Sequence, residues 1–169
     1  MKRRKAKHSK AARYQIELLK KGLEELYLRA DPRDFDDPEL AADLAQYLCL
    51  RVAGYLERAT GLILKDYCVK NSWAGAQQFA NSWLDRMPNL SADVLTRLVG
   101  RFDQRWSEEL AEFLELEERR GSLNALVGIR NGVAHGQQQG LSRERAWTYF
   151  VTVEAIVDWL LERFGDTKA

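Results

Sequence analysis

Apolar residues recur at helical spacing along nearly the whole chain. Ile16, Leu18, Leu19, Leu23, Leu26 and Tyr27 predict an amphipathic helix over Ala11–Arg29. The polar run Asp31–Asp37 breaks it, and Pro38 then suits the first turn of a second helix, with Asp37 as its cap and Glu39 near the positive end of the dipole. This helix is expected to reach about Thr60, burying Leu40, Leu44, Leu48, Val52, Tyr55 and Leu56. Gly61 should end or bend it, with Leu62–Asn71 continuing helically. In Ser72–Met87, Trp73, Phe79 and Trp83 form an aromatic stripe that reads as core, and Pro88 stops the segment.

Ser91 can cap a short helix carrying Val94, Leu95 and Leu98, closed by Gly100. Asp103–Arg120 reads as an acidic helix with Trp106, Leu110, Phe113, Leu114 and Leu116 inside and its glutamates mostly in water. Gly121 and Ser122 are the expected hinge into a short helix bearing Leu123, Leu126, Val127 and Arg130. Gly136–Gly140 reads as a loop, after which Ser142 caps a last helix to about Phe164. Its apolar stripe, from Trp147, Phe150 and Val151 to Leu160 and Leu161, is broad. No strand-like alternation occurs, so the expected fold is all-α, an up-and-down bundle with additional helices. The helix before residue 130 should pack antiparallel to the last one.

At 169 residues the chain is expected to form one domain, over 11–165. No apolar run approaches the ~20 residues of a membrane span, and the basic start is not followed by an apolar segment of the signal-peptide kind. A cytoplasmic protein is expected. Cys49 and Cys68 lie in apolar surroundings, and with only His8 and His135 and no CxxC pair neither a zinc site nor a cofactor is expected. The first ten residues hold six of the 26 Lys and Arg and no acid, leaving 20 bases against 25 acids in the rest. Residues 1–10 are therefore expected to form a solvated, disordered tail, or a handle for phosphate through Lys2, Arg3, Arg4 and Lys5. The acidic body excludes a general polyanion binder, so any nucleic-acid site must be local.

Three reactive polar side chains cluster in one place, Gly128-Ile129-Arg130-Asn131-Gly132-Val133-Ala134-His135-Gly136. Arg130 and His135 are about 140° apart around an ideal helix, so they share a face only if the helix loosens or ends between them, which Gly132 and Gly136 allow. Asn131 is about 40° from His135 and can share its face. The cluster offers a fixed cation, an amide and a base that titrates near neutrality. It can equally be read as Arg130 and Asn131 capping a helix C-terminus with His135 at the boundary.

Written as RNxxAHG, the stretch resembles the signature of the HEPN superfamily. Gly54-Tyr55-Leu56-Glu57, Arg101-Phe102-Asp103 with Trp106, and Leu123-Asn124-Ala125-Leu126-Val127 are similar to the pattern of its RiboL-PSP branch, over about residues 40 to 163. The resemblance implies a HEPN-like bundle and a metal-independent endoribonuclease of a toxin–antitoxin or phage-defence system. It also implies a homodimer with two motifs facing one cleft, and an antitoxin or other defence protein as a further partner. RNA carries its own nucleophile, the 2′-hydroxyl. His135 would then move protons, Arg130 would clamp phosphate, and Asn131 would position a phosphate oxygen or the imidazole. The products would be a 2′,3′-cyclic phosphate and a 5′-hydroxyl. Glu57 enters as a candidate through the resemblance alone. The competing reading is a catalytically silent module using the same surface for dimerisation or for binding a partner or nucleotide.

Overall fold

The computed structural model describes residues 2–34, 36–136 and 140–165, with side chains from Lys10 onward. The described chain is all-α: α1 (Lys2–Arg29), α2 (Pro38–Asn71), α3 (Ala74–Leu84), α4 (Ala92–Gly100), α5 (Gln104–Glu115), α6 (Arg119–Ala134) and α7 (Arg143–Gly165). Among the described residues no helix is long and apolar enough to cross a membrane.

The bundle is built on α2, which at 34 residues is about 50 Å long and packs against α1, α3, α6 and α7. Its start is as the sequence dictates, with Pro38 in the first turn and the Asp37 carboxylate accepting from the N–H groups of Glu39 and Leu40. Leu48, Val52, Tyr55, Leu56, Ile63 and Leu64 are buried along it, facing Phe150, Val153, Ile156 and Leu160 of α7. Consecutive elements joined by short connections and packed together, α1 with α2 and α6 with α7, are antiparallel neighbours. At one end Phe164 is fully buried, with its ring edge-on to Tyr67, Phe102 and Trp106 at centroid distances of 5.2, 5.4 and 5.0 Å.

The backbone of the basic run is helical from Lys2, Lys, Arg and Ala being strong helix formers. Several expectations are corrected. Gly61 neither ends nor bends α2; it is buried in an unbroken helix. Trp73 and Phe79 are not core: they are 76% and 75% exposed, because α3 packs on one side only and Leu84 is its buried residue. Trp83 is half-buried, with the Arg101 guanidinium 4.5 Å from its ring centroid. Leu18, Leu40, Leu116 and Val151, all assigned to inner stripes, are exposed at the edges of theirs.

The acidic helix also ends early. Its break falls at Leu116–Glu118 instead of Gly121–Ser122, which lie inside α6. Glu117 and Glu118 take left-handed backbone angles, φ 52° and 56°, a conformation uncommon for residues with a Cβ. Arg119 secures the turn: it bonds the Glu117 carboxylate at 2.6 Å, donates to the carbonyls of Phe113 and Leu116, and stacks on the Phe113 ring. Arg120 joins Glu115 to Asp93 of α4 across the same corner.

Candidate functional site

The motif occupies the last turns of α6. Leu123, Leu126 and Ile129 are buried and lock the helix onto the core, so the polar positions between them are aimed by the same packing. Arg130 projects toward α2, where its Nη2 stands 3.9 Å from Oε1 of Glu57, with both side chains about one-third exposed. Burial pushes the Glu57 carboxyl above the ordinary range, and the Arg130 charge opposes this only in part. The structure thus brings two of the sequence-derived candidates together.

Asn131 is engaged elsewhere. Its side-chain oxygen accepts from the amide of Asn89, in the segment between α3 and α4, at 2.5 Å. One heptad earlier on the same helix, Asn124 accepts from the backbone N–H of Ala92 at the start of α4. Two asparagines seven residues apart therefore hold the α3–α4 segment against the motif helix. Neither Asn89 nor Asn124 is given a role by the sequence alone; the i, i+7 spacing of Asn124 and Asn131 is the available signal, and Asn89 gives none.

His135 terminates α6. Its N–H bonds the carbonyls of Asn131 and Gly132, its own φ of −100° leaves the helix, and Gly136 follows at φ +74°, the left-handed closing residue that favours glycine. Gly132 is buried inside the helix and loosens nothing. The helix therefore persists through Ala134, and Arg130 and His135 keep the separation of about 140° that an intact helix imposes. Arg130 faces α2, whereas the His135 side chain is exposed and, among the described residues, without a hydrogen-bond partner. Asn131 turns to Asn89 rather than to the imidazole.

A cavity of about 340 Å³ opens beside Glu57, between α2 and the end of α3, with Gly61 and Lys65 on one wall and Asp85 and Met87 on the other. Among the described residues no group of three or more His, Cys, Asp and Glu could hold a metal ion. The side chains of Lys2, Arg3, Arg4 and Lys5 lie outside the described residues, as do residues 137–139 of the expected loop.

The sequence model of the RiboL-PSP-HEPN family matches residues 13–164, nearly the whole of the bundle. The chain belongs to the RiboL-PSP-HEPN family. Comparison with curated proteins gives no match, and comparison with solved structures gives none. In this member of the RiboL-PSP-HEPN family the matched region runs from within α1 to the end of α7 and contains Glu57, Asn89, Arg130, Asn131 and His135.

Proposed function

We propose that this RiboL-PSP-HEPN protein is a metal-independent endoribonuclease acting in the cytoplasm within a toxin–antitoxin or phage-defence system. The observation that carries the reading is an exposed histidine at the end of the helix that also presents Arg130, in a chain of this family. The 2′-hydroxyl oxygen attacks phosphorus as its proton passes to a base, and the bond from phosphorus to the 5′-oxygen breaks as that oxygen gains a proton. His135 serves the proton transfers, Arg130 neutralises the crowded phosphorane, and Asn131 with Asn89 fixes the approach of the strand. Glu57 holds Arg130 in position from α2.

The angular separation of Arg130 and His135 favours a composite site, in which Arg130 of one copy works with His135 of another. The open groove between α6 and the start of α7, lined by Ala125, Ile129, Leu141 and Tyr149, is where a second copy would seat. The same separation favours the second reading, a silent module that binds a partner or nucleotide, if the two copies never meet.

A labelled-RNA assay with end-group analysis separates the two. His135→Ala should lower cleavage by roughly 10²–10⁴-fold with little change in RNA affinity. Arg130→Ala should lower both, and cleavage should persist in EDTA. Cleavage that survives His135→Ala, or disappears on chelation, would overturn the mechanism. Deleting Met1 to Lys10 should flatten the salt dependence of binding by about 0.7 for each phosphate that the tail neutralises, leaving the cleavage step intact. Sedimentation should show a dimer at micromolar concentration wherever cleavage is seen.

A further inference from the structure

Gly61 sits in mid-helix with an ordinary helical backbone, and a Cβ built on it would meet nothing closer than the flexible end of Met87, at 3.4 Å. Neither turn geometry nor close packing requires glycine here, and it costs the helix about 1 kcal/mol relative to alanine. What it does is leave room. Glu57, Gly61 and Lys65 lie at i, i+4 and i+8, one stripe of α2, so the missing side chain forms a floor between a carboxylate and an ammonium. The opposite wall is Leu84, Asp85 and Met87, and the Lys65 ammonium is ion-paired to Asp85.

The charges around the cavity balance, Glu57 and Asp85 against Arg58 and Lys65, so it does not select an anion. It suits a flat, neutral ring with donors on one edge and acceptors on the other, lying against Leu62 and Met87. Its volume of about 340 Å³ is at the small end for ligand sites, roughly 300–1,000 Å³. A carboxylate with two oxygens matches the adjacent N1–H and N2–H donors of guanine, and a lysine matches its O6 and N7 acceptors. Glu57 also faces Arg130, so a base in the cavity belongs to the nucleotide next to the phosphate that Arg130 would hold.

We propose that the cavity between α2 and the end of α3 is a guanine-binding pocket, with Glu57 and Lys65 reading the base and Gly61 keeping its floor open. This rests on the ribonuclease reading for the source of the guanine, an RNA strand.

The test uses full-length protein carrying His135→Ala, so that nothing is consumed, titrated with each of the four 3′-nucleoside monophosphates. A matched set of short RNAs with one guanine or none is titrated alongside to distinguish a base in a strand from a free nucleotide. Guanine should be preferred by roughly tenfold or more in both arms, and preference for the free nucleotide alone would overturn the strand assignment. Gly61→Leu, which fills the floor, should abolish the preference while the circular dichroism and thermal midpoint show a folded protein. If Gly61→Leu fails to fold, Lys65→Met should weaken the guanine preference in its place. Equal binding of all four nucleotides, or an undiminished preference in the folded variant, overturns the proposal. Cleavage by the unaltered protein without base preference would sink the pocket and leave the nuclease standing. Guanine preference in binding with no cleavage would do the reverse.

Discussion

The side-chain amide of Asn89 donates to the side-chain oxygen of Asn131 at 2.5 Å, joining the segment between α3 and α4 to the motif helix. With the Asn124 bond to Ala92 it makes this segment one wall of the site, so Asn131 serves architecture as well as chemistry. Asn89→Ala and Asn131→Ala should each cost about 1 kcal/mol, and the double variant should cost clearly less than their sum. Urea unfolding of the four proteins checks this. Strict additivity would show that the bond contributes nothing in solution.

Phe164 lies at the centre of three edge-on aromatic rings and is fully buried. Phe164→Ala should lower stability by about 3–5 kcal/mol, through lost burial and the cavity left behind. Phe164→Leu should lose markedly less. Denaturant midpoints compare the two, and equal losses would show that the aromatic geometry, not the volume, is what the site needs.

Glu57 binds its proton more tightly in the folded chain, because burial outweighs the Arg130 charge. A carboxyl raised in this way favours folding while protonated, and the advantage is lost as pH rises from the ordinary carboxylate value through the raised one. Glu57→Gln cannot ionise and escapes that loss. Its thermal midpoint should therefore improve relative to the unaltered protein as pH rises above the ordinary carboxylate value, about 4. A difference that does not change with pH would mean that Arg130 fully offsets the burial.

Glu118 holds φ 56° and, among the described residues, makes no side-chain hydrogen bond there. Glu118→Asn, a residue that tolerates the left-handed region, should raise stability by about 1 kcal/mol. Glu117→Asn should gain less, because it also removes the pair with Arg119. A lower urea midpoint for Glu118→Asn would show that the strain is already relieved by its neighbours.

Burial pushes the Cys49 thiol up to about 11, and its side chain is fully enclosed. A thiolate-directed reagent at neutral pH should leave Cys49 untouched in the folded protein and label it on unfolding, at the rate of global opening. Mass spectrometry of labelled peptides follows this directly, and rapid labelling under native conditions would contradict the packing around α2.

Local rules were legible wherever the determinant lies within a turn or two of sequence. Asp37 before Pro38 and Ser91 before Ala92 each cap the helix they were expected to cap. What failed needed knowledge of a neighbour. Trp73 and Phe79 have the spacing of a buried stripe, yet among the described residues no helix covers them. The turn after Glu115 has no glycine to announce it; two arginines at the start of α6, Arg119 and Arg120, hold Glu117 and Glu115 in its place. Within the site, the Glu57–Arg130 pair joins residues 73 positions apart, and Asn89 lies in a segment without periodicity, so both became visible only in three dimensions.

The left-handed pair Glu117 and Glu118 fixes more than a change of direction. Every residue of an α-helix advances the chain by about 100°. A rigid elbow between two helices therefore sets the rotational phase of the second against the first. From that phase follow all the directions α6 presents: Leu123 and Leu126 inward, Asn124 and Asn131 toward the start of α4, Arg130 toward Glu57. One residue gained or lost between Glu115 and Arg119 would turn the motif by about 100° without altering a letter of it. Length variation is thus excluded at this elbow, whose count of residues is as much a part of the site as Arg130 itself.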